Sequence, residues 1–160
     1  MLAAAGTNRD DDVAFALDLA GAESRITLLA ELIERPALLD GAQMVVIAGG
    51  FSYADALGAG RMFALQLEHR VGDVLRAFVA AKKPVIGICN GFQVLTEAGL
   101  LPGALMRNSA LKFVCRNVAL RVENSQSLFT AQYKAGESIV LPVAHHDGNF
   151  QADQGTLDRL

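Results

Sequence analysis

The sequence predicts an α/β fold: a mostly parallel sheet flanked by helices, with some antiparallel strands in the second half. Short β-branched runs, Met44–Ala48 and Pro84–Ile88, alternate with stretches of helical periodicity, the pattern of strands joined by crossover helices. The chain is 52% hydrophobic, and much of that fraction is Ala, Val and Leu. Such a composition suits strands covered on both faces. No repeat, low-complexity tract or linker-like run interrupts the 160 residues, so residues 1–160 read as one domain.

The elements follow in order. Val13, Ala16, Leu17 and Ala20 fall at helical spacing, which predicts a helix over 10–20. Asn8, Asp10 and Asp11 are its N-cap candidates, and Gly21 ends it. Residues 24–29 form a short strand candidate, and 44–48 a stronger one that stops at Gly49-Gly50. A helix is expected over 57–81, with a break near Gly72. Lys82-Lys83-Pro84 closes it, and residues 84–88 make the next buried strand. The pattern turns helical after Asn90 and closes at Gly99. Residues 113–122 and 138–143 alternate as strands do.

Bulk properties narrow the function. Net charge is −3, and the basic residues are scattered, so no stripe is present for a nucleic-acid backbone. No apolar run approaches the roughly 20 residues of a membrane helix, and the N-terminus lacks a basic segment leading into a long apolar one. A cytoplasmic location is expected. The two cysteines, Cys89 and Cys115, are expected to be free thiols.

Ligands of such sheets bind beyond the carboxyl ends of the strands. Two segments fall there: Gly49-Gly50-Phe51 and Cys89-Asn90-Gly91. The run Gly87-Ile88-Cys89-Asn90-Gly91-Phe92-Gln93 reads as strand, sharp turn, helix. A nucleophile in that turn stands above the sheet, and glycines on both sides let neighbouring backbone pass closely. The helix that follows aims N–H groups at the sulfur, which favours negative charge there. A core cysteine ending a strand is the plain alternative; the paired glycines between a β run and a helix favour the nucleophile. The Gly49-Gly50 pair is either a simple turn or a source of backbone N–H for the same cleft. With Asn90, Gly50 or Phe51 can complete a two-donor oxyanion hole. Cys115, within Phe113-Val114-Cys115-Arg116, has no such setting and is expected to pack inertly in a strand.

These residues carry a resemblance. The segment Gly49-Gly50-Phe51-Ser52-Tyr53-Ala54-Asp55 resembles the oxyanion loop of class I glutamine amidotransferases. The run GICNGFQVLTEAGLLPGALMRN over 87–108 resembles the purine-biosynthesis branch of that family, the glutaminase subunits of phosphoribosylformylglycinamidine synthases. Gly6-Thr7-Asn8-Arg9-Asp10, Phe113-Val114-Cys115-Arg116, Val122-Glu123-Asn124 and Pro142-Val143-Ala144-His145 are similar to that branch too. The resemblance implies a flavodoxin-like architecture in which Cys89 attacks the glutamine amide and releases ammonia through a glutamyl thioester. Gly50 and Asn90 form the oxyanion hole, and Gln93 helps bind glutamine. It also implies no cofactor or metal in this chain. ATP and magnesium belong to a partner synthetase subunit, which takes the ammonia, and a small third subunit bridges the two.

The sequence departs from the family in one respect. The family's catalytic His and Glu lie in a Pro-His-Pro-Glu-like segment, which these 160 residues do not contain, and only Met1–Ala5 precede Gly6. The resemblance therefore implies a domain lacking its C-terminal part, weakly active or inactive alone. His69 is expected on an exposed helix face. His145, where the family shows Ala-His-Gly-Glu-Gly and this chain Ala-His-His-Asp-Gly, is expected in a polar turn. Two other functions stay open: a thiol hydrolase of the PfpI and DJ-1 type, and a non-catalytic subunit that only binds the synthetase.

Overall fold

Four short strands form the central sheet of the computed structural model, which describes residues 1–160. They are β1 (Leu2–Ala3), β2 (Thr27–Leu28), β3 (Val45–Ile47) and β4 (Val85–Gly87), all parallel, in the order β2-β1-β3-β4. Val45, Val46 and Ile47 stand opposite Val85, Ile86 and Gly87. The order reverses direction between β1 and β3, and the crevice at such a reversal is where ligands bind. The chain divides into two units, residues 1–105 with 150–160, and residues 106–149.

In the first unit, α1 (Asp10–Leu19) begins after Arg9, not after the Asn or Asp residues favoured by cap chemistry. Arg9 makes no cap bond; its guanidinium holds Asp12 at 2.8 Å. Asp10, Asp11 and Asp12 still load the first turn with negative charge, which the helix dipole favours. At the other end Gly21 takes φ +90°, and the Ala22 N–H reaches back to the Leu17 carbonyl, a Schellman-type stop. The chain then enters β2, and α2 (Leu29–Glu34) starts at once. There the Glu31 carboxylate accepts the Leu28 N–H at 3.1 Å.

The helix expected over 57–81 is α3, Arg61–Ala80. Its start is displaced because Gly58, Ala59 and Gly60 all have positive φ, which no right-handed helix accepts. Gly72 does not break it. That residue is buried inside a continuous helix, with the Arg76 guanidinium close over it. Phe63, Leu67, Val71, Leu75 and Phe78 make one buried stripe, packed against Leu2, Leu29, Leu32, Val45, Ile47, Val94 and Leu95. Truncating a core leucine of this kind costs about 2–5 kcal/mol. The last two core residues belong to α4 (Asn90–Glu97), which follows β4 and closes where Gly99 turns left-handed.

β5 (Ala104–Met106) comes next; β6 (Val114–Arg121) and β7 (Ser138–His145) pair antiparallel in the second unit, and β8 (Asn149–Gln151) pairs with β5. A four-residue α5 (Gln154–Leu157) ends the chain, capped by the Asp153 carboxylate. β5, β8, α2 and α5 are too short to show a period in the sequence. Cys115 corrects an expectation: it lies in β6 but is exposed. A two-stranded ribbon has no layer over the face that carries Cys115, Ala119, Val140 and Ala144, so alternation alone did not report burial.

Asn108 organises the second unit. Its side-chain NH2 donates to the carbonyls of Lys112 (2.8 Å) and His145 (2.9 Å). Its Oδ1 accepts from Gly148 N–H (3.1 Å) and faces His145 Nδ1 at 3.0 Å. With the amide committed in that sense, His145 carries its proton on Nδ1. His145 ends β7 rather than sitting in the turn that follows.

Two outcomes are expected. A Cβ at Gly91 would collide with the Ile47 carbonyl, whereas one at Gly21 meets nothing within 4 Å. Gly91→Ala should therefore lower stability in urea by about 3 kcal/mol, the upper end of overpacking. Gly21→Ala should lose only about 1–2 kcal/mol from its positive φ; equal losses would contradict the packing account. Asn108→Ala should speed amide hydrogen exchange at Gly148 at least roughly fivefold, because a buried hub worth about 1–3 kcal/mol is removed. Unchanged exchange would show that Asn108 does not hold this turn.

Candidate functional site

Backbone crowding builds the turn at Cys89. The Ile88 N–H continues the sheet by donating to the Ile47 carbonyl at 3.0 Å. One residue later Cys89 takes φ 55° and ψ −112°, a conformation that costs a non-glycine residue on the order of 1–3 kcal/mol. Its carbonyl then accepts from Phe92 (3.0 Å) and Gln93 (3.2 Å), and the Ile88 carbonyl from Gly91 (2.9 Å). Those three bonds start α4. The helix can begin so abruptly because Gly87 lies against the Gly91 carbonyl and Gly91 against that of Ile47. No side chain fits at either place. The Cys89 side chain is left exposed above the strand ends, as the sequence pattern predicts for a nucleophile elbow.

The Gly49-Gly50 loop arrives beside it from β3. A Cβ on Gly49 would lie 3.1 Å from the Ile88 carbonyl oxygen and 3.2 Å from Cys89 Cβ, so the loop leaves little room for a side chain beside Cys89. Gly50 has φ 117° and bridges Thr7 across the reversal of strand order. A side chain there would run into Asn8, whose backbone nitrogen would be 2.7 Å away. In the first turn of α4 the N–H groups of Gly91, Phe92 and Gln93 are taken by carbonyls. The Asn90 N–H, the first of the helix, is not consumed in that way, as expected of a helix start.

Side chains tie loop to elbow. Ser52 is buried (3% exposed), as is Asn90 (4%), and the Ser52 hydroxyl donates to Asn90 Oδ1 at 2.6 Å. Asn90 Nδ2 in turn donates to Gln93 Oε1 at 3.0 Å. The rest of the loop is pinned by Tyr53. Its N–H donates to the Ala5 carbonyl (2.6 Å), its hydroxyl to Gln66 (3.0 Å), and its ring stands edge-on to Phe63. Burial pushes the Tyr53 phenol above its ordinary pKa. Asp55 accepts the Gly60 N–H at 2.8 Å and closes the loop onto α3.

Cys89, Asn90, Gln93 and Gly50, the residues singled out from the sequence, thus lie together at the carboxyl ends of β3 and β4. Gln93 is half-buried in a hydrogen-bonded network rather than an exposed helix residue. Ser52, Thr7 and Asn8 also belong to the site region. All three lie in segments that carry the resemblance, Gly6–Asp10 and Gly49–Asp55, but nothing in the sequence marks them individually as site residues. His69 is exposed on α3. In the second unit His145 is bound to Asn108, His146 lies 5.2 Å from the Phe113 ring, and Arg107 pairs with Asp147 at 3.5 Å. No three His, Cys, Asp or Glu side chains converge as a metal site would need. No helix is long and apolar enough to cross a membrane.

Comparison with known proteins agrees with this geometry. The model of the CobB/CobQ-like glutamine amidotransferase domain matches residues 1–160. The chain is similar to phosphoribosylformylglycinamidine synthase subunit PurQ of Novosphingobium aromaticivorans, 56% identical over 126 residues, covering 77% of this chain and 53% of that protein. It is 50% identical over 155 residues to the subunit PurQ of Rhodospirillum rubrum, covering 97% and 65%. Among solved structures it resembles PurLQS from Thermotoga maritima, with a TM-score of 0.84 and 35% identity over 96% of this chain and 68% of that one. The chain spans 53% and 65% of the two curated relatives. With a strained, exposed cysteine on the elbow and the family model matching residues 1–160, the chain belongs to the CobB/CobQ-like glutamine amidotransferases.

Proposed function

We propose that this chain is the glutaminase part of a phosphoribosylformylglycinamidine synthase, acting in the cytoplasm on glutamine. The observation that carries the reading is the Cys89 elbow, with the Gly49-Gly50 backbone against it and the Asn90 N–H at the helix start. The names of the relatives support the pathway. The Cys89 sulfur attacks the side-chain carbonyl carbon of glutamine, forming a C–S bond while the carbonyl electrons move onto oxygen. That oxyanion is held by the Asn90 N–H and by Gly50 or Phe51. Collapse re-forms the carbonyl and breaks the C–N bond, and the leaving nitrogen takes a proton to depart as ammonia. Water then attacks the thioester through a second oxyanion in the same hole, releasing glutamate and restoring the thiol.

The ammonia passes to a synthetase subunit, which uses ATP to convert formylglycinamide ribonucleotide to formylglycinamidine ribonucleotide. A small third subunit bridges the two. Likeness to a chain of the solved PurLQS structure supports an assembly of this kind. The proton of the thiol needs a base, and the His–Glu pair that the family resemblance supplies for this is not among the 160 residues.

Two measurements test the reading. Ammonia release from glutamine by the purified chain should fall about 10²–10⁴-fold below that of a relative with its His–Glu pair, the usual worth of general acid–base help. Full turnover would mean that a group within these residues serves as base. A chloroketone analogue of glutamine should modify Cys89, and free glutamine should protect it. Both thiols are exposed, so simple accessibility would label Cys115 as well. Equal labelling with no protection would contradict a glutamine site.

A further inference from the structure

The bond between Ser52 and Asn90 joins residues 38 positions apart, both buried, at 2.6 Å. Its direction is determined. A serine hydroxyl can donate or accept, but a buried hydroxyl proton needs an acceptor, and Asn90 Oδ1 is the partner that Ser52 has. The Ser52 proton therefore points at Asn90 and holds its oxygen toward the loop. The Asn90 NH2 is then turned toward Gln93 and donates to Oε1 at 3.0 Å. One hydroxyl thus fixes the sense of the Asn90 amide, which presents its NH2 to Gln93. If Asn90 turned over, its NH2 would face Ser52 and its oxygen would face Gln93 Oε1, two acceptors opposed. Gln93 would have to turn as well.

We propose that Ser52 is a positioning residue, fixing the polarity of an Asn90–Gln93 amide relay and thereby the face of the site that receives the glutamine substrate. This rests on the glutaminase reading above. The loop itself does not depend on Ser52. Its backbone is held by the Thr7–Gly50 bridge, by Tyr53 N–H on the Ala5 carbonyl and by Asp55 on Gly60. Loss of the hydroxyl should therefore leave the Gly49–Cys89 approach in place and disturb the amides. Binding suffers, while the reactivity of the sulfur does not.

The test compares Ser52→Ala, Ser52→Thr and the wild-type chain in saturation kinetics of inactivation by a chloroketone analogue of glutamine. Iodoacetamide serves as the reagent that needs no glutamine recognition. Ser52→Ala is expected to raise the half-saturating analogue concentration about three- to tenfold, the worth of one buried hydrogen bond. The limiting inactivation rate and the iodoacetamide rate should stay within about twofold. Ser52→Thr, which keeps the hydroxyl, should return to wild type. A fall in the limiting rate or a changed iodoacetamide rate would mean that Ser52 only braces the loop, and the proposal is overturned. Unaltered saturation in Ser52→Ala overturns it too. If Ser52→Ala does not fold, Ser52→Thr and Ser52→Val, alike in shape but not in hydroxyl, make the same comparison. A wild-type chain that shows no saturation by the analogue refutes the glutaminase reading itself, and is told apart because it involves no variant.

Discussion

The contact on which the rest depends is the approach of Gly91 to the carbonyl of Ile47, which leaves no room for a side chain between α4 and the end of β3. That contact seats the first turn of the helix on top of the sheet. Cys89 is then forced through φ 55° and ψ −112° to connect β4 to a helix that starts too close for an ordinary turn. The strain is offset by the three hydrogen bonds that begin α4 and by burial of Val94 and Leu95 in the core under α3. The sulfur is exposed as a consequence of packing, and no neighbour has to hold it out.

The same end of the sheet gathers its second component by a different route. The loop after β3 leaves the sheet through Gly49 and Gly50 and returns to α3 only at Arg61, with Tyr53, Ala54, Asp55 and Ala59 all at positive φ. So much left-handed backbone is uncommon and needs anchors. The Tyr53 N–H on the Ala5 carbonyl, the Asp55 carboxylate accepting the Gly60 N–H and the Thr7–Gly50 bridge supply them. Ser52 adds the side-chain bond that joins the loop to Asn90 of the elbow segment. At that pair a turn that leaves the thiol exposed is tied to the strained loop beside it.

Much of this was legible in the sequence because glycines and β-branched runs act locally. Val45–Ile47 announces a buried strand, and the glycines around Cys89 announce close backbone contact whatever the rest of the chain does. Val85–Gly87 is a strand as expected but only half-buried, because it lies at the edge of the sheet. The start of α3 was misplaced because Leu57 and Ala59 look helical by type while the flanking Gly58 and Gly60 carry the backbone left-handed. The cap of α1 falls to Arg9, which makes no cap bond and only an exposed ion pair with Asp12, so cap preferences alone do not place the start of this helix. Cys115 alternates as a core residue would, but no second layer covers its face of the ribbon. Ser52 could not be assigned a partner at all. Asn90 is 38 residues away, and only the fold brings the two within 2.6 Å.

The proposed function rests on an oxyanion hole over Cys89, formed by the elbow and the Gly49-Gly50 loop together. The most direct measurement is a crystal structure of the chain trapped at Cys89 as the tetrahedral adduct of a glutamine-derived aldehyde. The adduct oxygen is expected at about 2.7–3.1 Å from the Asn90 N–H and from the N–H of Gly50 or Phe51. An adduct oxygen turned to solvent, with neither N–H within hydrogen-bond reach, would contradict it.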